Sequence, residues 1–541
     1  MIEFRHKLPC LRADGVHENG TYNNRELGFP SILTTLDPRL GLFLHTLRNN
    51  ILQDRSLVFV DGRILVTDKN WIRDHVHVMK AMRHWEYDLS SFLDFIIDTQ
   101  REDGQFYELV KQLDDPHWQF VNEDCRKMYP EDNLSLVRLE LEADIEYLVV
   151  EGAVYLYKTT GDDAWLNRAL PKLEKGIDYI TSDPKRWDAE RGLVKRPFTV
   201  DTWDFTPLPD AGTNRRIEKD TPMSIMHGDN SGVYQAMRQL AWLNRRLGRE
   251  EKAEHWEARA EQLNENIFRY LWNGRFFIHQ LHLNHAGLDD KENERLSLSD
   301  TYDITRGLTD LAQSRSIIEE YMKRRGGDAF AEWSTVDPPY EKFYIYPKGK
   351  YINGAVSPFT AGELAKAAFN NGYEEYGWDI ISRFMDLAQR DKTVYFLYWP
   401  DSSPQPQGGP SAWGAAALIS AVDEGLAGIT DAGVNYDTID FSPRFPVTSY
   451  TELRYLTGYE VSHTLVDVRY ILTNEGMRYD LISPAKTVRA HMLLPKGRNC
   501  AALYVNGANT PFTRETLGAS SYVNAEISAE GKVRFEILFS S

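Results

Sequence analysis

Apolar residues recur at helical spacing over most of the chain. Leu40, Leu44, Leu47 and Ile51 trace one face, and Leu141, Ile145, Leu148 and Leu156 trace another. Trp165, Ala169, Leu173, Ile177 and Ile180 continue the pattern across Pro171, where a kink or break is expected. Val233, Ala236, Leu240, Leu243 and Leu247 form a strongly periodic segment, entered through Asp229-Asn230 and stopped by Gly248. Trp256, Ala260, Leu263, Ile267 and Leu271 follow at once, and further helical pieces fall near 306–325, 358–371, 374–390 and 411–428. Short links join some of these helices into hairpins, whereas 102–135, 182–228, 327–357 and 391–410 read as long loops. A toroid of helical hairpins with its long loops on one rim produces this rhythm. An open solenoid produces it too, but no short sequence period repeats.

After Gly428 the pattern shifts to alternation. Leu465–Thr473, Thr487–Pro495, Ala501–Asn506 and Lys532–Phe539 read as strands, the last with Val533, Phe535, Ile537 and Phe539 turned inward. Asn506-Gly507 is a hairpin turn. The predicted organisation is an N-terminal extension (1–35), a mainly helical domain (36–430) and a C-terminal antiparallel β-domain (431–541).

Composition narrows the function classes. No apolar run approaches the ~20 residues of a membrane span, and no signal peptide is visible, so an uncut chain is expected in the cytoplasm. Three dispersed cysteines (Cys10, Cys125, Cys500) point to reduced thiols and carry no metal-site spacing. A net charge of −18 argues against nucleic-acid binding. The 13 Trp and 28 Tyr suit large cores and equally suit stacking on sugar faces.

Candidate chemistry gathers in the long loops and at helix entrances. In Arg196-Pro-Phe-Thr-Val-Asp-Thr-Trp-Asp-Phe205 a carboxylic acid adjoins an indole, a setting in which it can hold its proton near neutral pH and act as a general acid. Trp71-Ile-Arg-Asp74 offers a guanidinium fork and a carboxylate suited to clamping adjacent sugar hydroxyls, or simply to pairing and capping a helix. Trp118, Trp203, Trp333, Tyr395, Tyr398 and Trp399 are loop aromatics that can stack on pyranose faces or pack the loops. Gln105, Asn353 and His227 can bind hydroxyls. His75 and His77, two apart on a helix, do not share a face and argue against a shared metal. The acid-rich 138–146 segment reads as a solvated or salt-bridged face rather than a calcium site.

The Trp71-Ile-Arg-Asp74 segment resembles the Trp-x-Arg-Asp of six-hairpin glycosidases, where a match implies contacts with the terminal sugar. Thr202-Trp203-Asp204, Tyr351-Ile-Asn-Gly-Ala-Val-Ser-Pro-Phe359 and Gly408-Gly-Pro-Ser-Ala-Trp-Gly-Ala-Ala416, with Trp413, are similar to motifs of the glycogen-debranching glucosidase domain, trehalases and glucoamylase-like enzymes, in the same order over about residues 65–430. The resemblance implies an (α/α)6 barrel and an inverting exo-glycosidase, a glucosidase by analogy, that needs no cofactor. By position Asp204 is the general acid, with Asp201 its nearest rival; Trp71, Arg73, Asp74 and Trp413 line the sugar site.

Such an enzyme needs a second carboxylate about 6.5–9.5 Å from the acid to activate water. Relatives carry a Glu before the last inner helix, but here that segment reads Val394-Tyr-Phe-Leu-Tyr-Trp-Pro-Asp401. Asp401 and Glu332 are the candidates, Glu341 a third. Ser357 also stands where relatives have Trp. A phosphorylase, which needs no base, and a sugar-binding barrel without catalysis are the alternatives. An isomerase or lyase on the same toroid would rely on a His or Tyr set that is not evident. The expected partner is an oligosaccharide or glycoside; oligomeric state is not specified by the sequence.

Overall fold

The periodic segments fold as helices in a computed structural model that describes residues 34–35, 37–115, 125–208 and 216–540. Nearly all of the 1–35 extension, with Cys10, and the loop residue Trp118 lie outside the described residues. Among the described residues there are twelve α-helices. The first six are α1 (Pro38–Asp54), α2 (Ile72–Met82), α3 (Ser91–Asp98), α4 (Ile145–Thr160), α5 (Asp163–Ile180) and α6 (His227–Arg246). The others are α7 (Glu250–Leu271), α8 (Leu298–Thr305), α9 (Leu311–Lys323), α10 (Pro358–Asn370), α11 (Glu374–Asp391) and α12 (Ala412–Ser420).

Two of these differ from the sequence expectation for one reason. Helices α3 and α8 have eight residues each, too few for a periodic stripe to emerge, and the piece anticipated near 306–325 begins only at Leu311. Pro171 does not break α5. It sits on the solvent face, where the carbonyl left without an N–H partner can turn to water.

The even-numbered helices pack in a circuit. Helix α2 packs on α4, α4 on α6, α6 on α8, α8 on α10, α10 on α12, and α12 returns to α2. The odd-numbered helices lie outside: α1 on α12, α3 and α5 on α4, α7 on α6, α9 on α8 and α10, and α11 on α10 and α1. This separates two kinds of face. The α7 helix buries only one stripe (Ala253, Trp256, Ala260, Leu263, Ile267, Leu271), whereas α10 and α12 are buried nearly all round.

Close contact between α10 and α12 depends on Gly362. A Cβ there would stand 2.5 Å from the backbone carbon of Ala417. Gly362→Ala must push two backbones apart, and we expect about 1–3 kcal/mol of destabilisation, read as a lower urea midpoint with an unchanged slope.

From Ile429 onward the described elements are strands, apart from one 3-10 turn. Six of these strands, including Glu452–Tyr459, Thr464–Leu472, Gly476–Ile482 and Lys532–Phe539, join the N-terminal strand Thr34–Thr35 in one seven-stranded sheet, and five form a second. Val533, Phe535 and Ile537 point inward as their alternation requires, and Asn506 and Gly507 both take positive φ (52° and 81°) at the hairpin. The region is not wholly antiparallel: Thr438–Phe441 pairs in parallel with Thr487–Leu493. Cys125 and Cys500 are both buried. No described helix is long and apolar enough to cross a membrane.

Candidate active site

A hairpin prepares the entrance to α2. Strands Arg55–Val60 and Arg63–Asp68 pair so that Arg55 faces Asp68. The residues one step beyond that rung, Asp54 and Lys69, meet in a 3.2 Å ion pair. Lys69 and Asn70 then take left-handed backbone (φ 48° and 64°), turning the chain sharply into α2. Thr67 donates to the Asn70 amide oxygen at 2.6 Å and holds that turn. The turn delivers Trp71 as N-cap and places Arg73 and Asp74 in the first turn of α2.

The two do different things. Arg73 is buried and gives its guanidinium fork to Asp144, with Nε–Oδ2 at 2.5 Å and Nη2–Oδ1 at 2.9 Å, and it also pairs closely with Glu142. Burial alone would raise the Asp144 pKa, but Arg73, then Arg196 and Arg138, hold it below the ordinary value. Asp74 is half-buried and has no hydrogen-bond partner recorded among the described residues. Burial raises its pKa; Lys69 and Arg73 oppose that, and the charge of Asp204 adds to it.

The loop carrying Asp204 is fixed from several sides. Asp201 adopts φ 49°, its N–H donates to His279 Nε2 at 2.9 Å, and its carboxylate accepts from the Ser299 N–H at 3.2 Å and from the Ser299 hydroxyl. Arg196, fully buried, donates to the Trp203 carbonyl at 2.7 Å and reaches Asp229 at 3.4 Å. Asp201 is thus committed to the scaffold. Asp204, three residues on, is half-buried, and no other side chain among the described residues is its hydrogen-bond partner. Burial raises its pKa, Arg73 and Arg196 counter it, and Asp144 adds to it.

Aromatic rings line the space beside Asp204. Trp203 lies 5.2 Å from Tyr351, 5.9 Å from Phe359 and 6.0 Å from Phe396, measured between ring centroids. Trp413 stacks on Phe359 at 4.9 Å and on His77 at 4.1 Å, and its indole N–H donates to the Tyr302 hydroxyl at 2.9 Å. Tyr346 and Tyr351 feel the charge of Asp204 directly, behind burial as the main cause of their raised pKa values. His77, one turn after Arg73, is kept neutral chiefly by burial.

The structure brings Asp204, Trp203, Arg73, Asp74 and Trp413 into one region, with Trp71 half-buried at its edge under Lys111. It does not bring Glu332 or Asp401 there. Glu332 is bound by Tyr376 Oη (2.6 Å) and Arg383 (2.8 and 3.1 Å) from the outer helix α11, which hold its pKa below normal despite burial. Asp401 is fully exposed and accepts from the Ser403 N–H (2.9 Å) and hydroxyl (2.5 Å) in its own turn. Glu341 is an exposed partner of Lys348. Removing Arg383 leaves Glu332 buried without its cation, so Arg383→Ala is expected to cost about 2 kcal/mol or more. The check is a denaturation curve beside a turnover assay with unchanged kcat.

Several binding candidates also belong to the scaffold. Gln105 donates to Tyr179 Oη on outer helix α5 at 2.7 Å. Trp333 stacks on Phe384 of α11 at 4.9 Å, with the Arg383 guanidinium over its ring at 4.2 Å. Tyr398 is buried, its hydroxyl accepting from the Tyr395 N–H at 3.0 Å, and Trp399 opens the exposed turn that carries Asp401. Asn353 is fully buried and clamps its own loop, bonding Tyr340 N–H and the Tyr340 and Tyr346 carbonyls at 2.7–3.0 Å. It therefore positions Tyr346 and Tyr351 rather than touching a ligand. Ser357 caps α10 by accepting from the Thr360 N–H, which is why a small hydroxyl residue stands there.

His227, Asp300 and Asp303 bring potential metal-ligand atoms within 4.8 Å of one another. Most of those atoms are engaged already, Asp303 Oδ1 being the exception. His227 Nδ1 bonds Asp303 at 2.6 Å and Nε2 bonds Ser297 Oγ at 3.1 Å, while Asp300 accepts from the Ser297 N–H in a capping box. Asp303 and Asp300 overcome burial and raise His227 to about 9, so an imidazolium supplies the positive charge. The acid-rich 138–146 segment is likewise ionic and buried: Arg138 pairs with Glu146 at 3.1 Å and faces Glu108 at 3.9 Å.

Tyr346 and Phe396 were not singled out by the sequence, and His77 was read only as an argument against a shared metal. The one local signal was for His77, which follows Arg73 by one helical turn.

Comparison with known proteins agrees with this picture. The family model of the mannosylglycerate hydrolase MGH1-like glycoside hydrolase domain matches residues 68–402. No curated protein sequence matches significantly. The α-L-rhamnosidase of Dictyoglumus thermophilum is similar in fold, with TM-score 0.57 and 12% identity over 94% of this chain and 51% of that one. The Streptomyces avermitilis α-L-rhamnosidase complexed with L-rhamnose gives 0.56 and 13%, over 93% and 42%. The GH63 mannosylglycerate hydrolase of Thermus thermophilus gives 0.50 and 15%, over 70% of this chain and 99% of that one. This chain thus spans about half the length of the rhamnosidases it resembles.

Proposed function

The chain belongs to the mannosylglycerate hydrolase MGH1-like glycoside hydrolase family, and from that premise we propose that it is an inverting, exo-acting glycoside hydrolase that removes a terminal gluco- or mannopyranoside. The motif resemblance favours a glucoside, and the family's description names a mannoside; the two sugars differ only at C2. The circuit of six helices wrapped by six others supports reading residues 36–430 as an (α/α)6 barrel. We read 431–541 as a β-domain buttressing it.

The observation that carries the reading is Asp204. It is a half-buried carboxylic acid with no recorded side-chain partner, a raised pKa and a rigid loop beneath it, beside rings that fit a pyranose face. In the proposed reaction protonated Asp204 gives its proton to the glycosidic oxygen as the C–O bond breaks. Trp203, Trp413 and Tyr351 shape the sugar pocket, and Arg73, spent on Asp144 and Glu142, fixes the wall from which Asp74 projects.

Phosphorolysis is less favoured by the local charge. Lys69 stands over Phe396, 5.6 Å from the ring, yet the charges of Asp54, Asp68 and Asp74 all act on it, and phosphate would enter that group of acids. The test is a chromatographic screen of glucosides, mannosides including mannosylglycerate, and rhamnosides, with and without phosphate. Free sugar from wild type, lost in Asp204→Asn, supports hydrolysis. Sugar 1-phosphate formed only with phosphate, or binding without cleavage, overturns it.

A further inference from the structure

We propose that Glu292 and His279 are positioning residues for the general acid: they fix the loop that carries Asp204 and tie it to the loop that carries Tyr346 and Tyr351. The inference rests on the hydrolase reading above and adds what sets the acid against the sugar. Neither residue is placed to touch a ligand, since His279 is fully buried and Glu292 is 8% exposed.

The contacts have a direction. The Asp201 N–H donates to His279 Nε2 at 2.9 Å. A backbone N–H can only give, so Nε2 is the unprotonated nitrogen and Nδ1 carries the proton. Nδ1 stands 2.7 Å from Glu292 Oε2, and the carboxylate holds the ring in that tautomer. The other carboxylate oxygen accepts from Tyr340 Oη at 2.7 Å, with the Arg295 guanidinium 3.3 Å away.

Asp201 is where the acid's loop turns. Its backbone is left-handed (φ 49°), a costly conformation for a residue with a side chain, so contacts must hold it there. The Thr199 hydroxyl donates to the Asp201 carbonyl at 2.8 Å, and the Trp203 N–H closes on the Val200 carbonyl at 3.2 Å, one residue before Asp204. On the far side Tyr340 gives its own N–H to Asn353 Oδ1 at 2.7 Å, and Asn353 donates to the Tyr346 carbonyl at 2.9 Å. One carboxylate therefore joins the proton donor's loop to the aromatic wall. The two loops meet again where Phe205, next to Asp204, packs edge-on against Tyr346 at 5.6 Å.

Removing the acceptor at Nε2 leaves the buried Asp201 N–H without this partner and loosens the turn. Proton donation needs Asp204 within hydrogen-bond distance of the glycosidic oxygen, and a displacement of about 1 Å costs on the order of 10²-fold. The loss falls on the step that uses the proton, so it appears in kcat and spares substrates whose leaving group needs no proton.

Glucosyl and mannosyl fluorides of both anomeric forms separate positioning from folding, because fluoride leaves without a general acid. His279→Phe keeps a ring and loses both nitrogens; His279→Leu replaces it if the larger ring prevents folding. The variant is expected to lose about 10–10²-fold in kcat on alkyl glycosides, with KM little changed. Its fluoride turnover per folded molecule stays close to wild type. His279→Gln, whose amide oxygen can accept from the Asp201 N–H, should recover most of the alkyl glycoside rate. Equal losses on fluoride and alkyl glycoside, or no recovery in a folded His279→Gln, overturns the proposal and leaves the pair as core hydrogen bonds. A wild-type enzyme inert to every fluoride and glycoside fails the hydrolase reading itself, and this proposal with it.

Discussion

Asp204→Asn lowers kcat/KM by about 10²–10⁴-fold on substrates with poor leaving groups and leaves the unfolding midpoint where it was. The asymmetry follows from what the side chain touches. Asp204 gives its carboxylate to no described side chain, so the amide breaks no bond in the folded protein. It removes only a proton donor of raised pKa. A series of aryl glycosides checks this: the wild-type rate depends weakly on leaving-group acidity, the variant's rate steeply. The pH dependence has a definite sign. The acid works protonated, so activity falls as pH rises through the Asp204 pKa, which burial holds above the usual carboxylate value.

Arg73→Met destabilises the protein by about 3–5 kcal/mol and costs activity with it. Methionine fills much of the arginine's volume, but Asp144 and Glu142 are then buried with no fork to receive. Asp144 loses its main hydrogen bonds and Glu142 its nearest cation, with Arg196 3.9 Å away. Arg73→Lys recovers little, since a point charge cannot make the two bonds to Asp144 at once. Denaturant titration of the three proteins checks the order wild type, then Lys, then Met.

The two cases show where the sequence is legible. Features written within a few residues are readable: the Leu240–Leu247 stripe, the Asn506-Gly507 turn, Trp71 to Asp74 at a helix entrance, and Trp203 beside Asp204. Features that depend on a partner far along the chain are not. Arg73 offers a free fork in sequence, and only the fold spends it on Asp144, 71 residues on. Glu332 beside a Trp in a long loop looks like Asp204 beside Trp203, yet Arg383, 51 residues away on α11, claims it. Asn353 has the residue type of a sugar ligand and acts as a loop clamp because Tyr340 and Tyr346 reach it first. Phe396 carries no polar atom, so nothing in the sequence marked it as a pocket wall. The motifs name side chains that the fold gathers around Asp204, and the ion pairs show which carboxylates are committed to the scaffold.

The most direct test of inversion at this site is the product that wild-type enzyme forms in oxygen-18 water, followed by NMR before mutarotation. The expected product is a free sugar with one solvent oxygen at its anomeric carbon and with that carbon inverted. A product of retained configuration would contradict the mechanism, because a carboxylate would then have to bond the anomeric carbon where we place a water molecule.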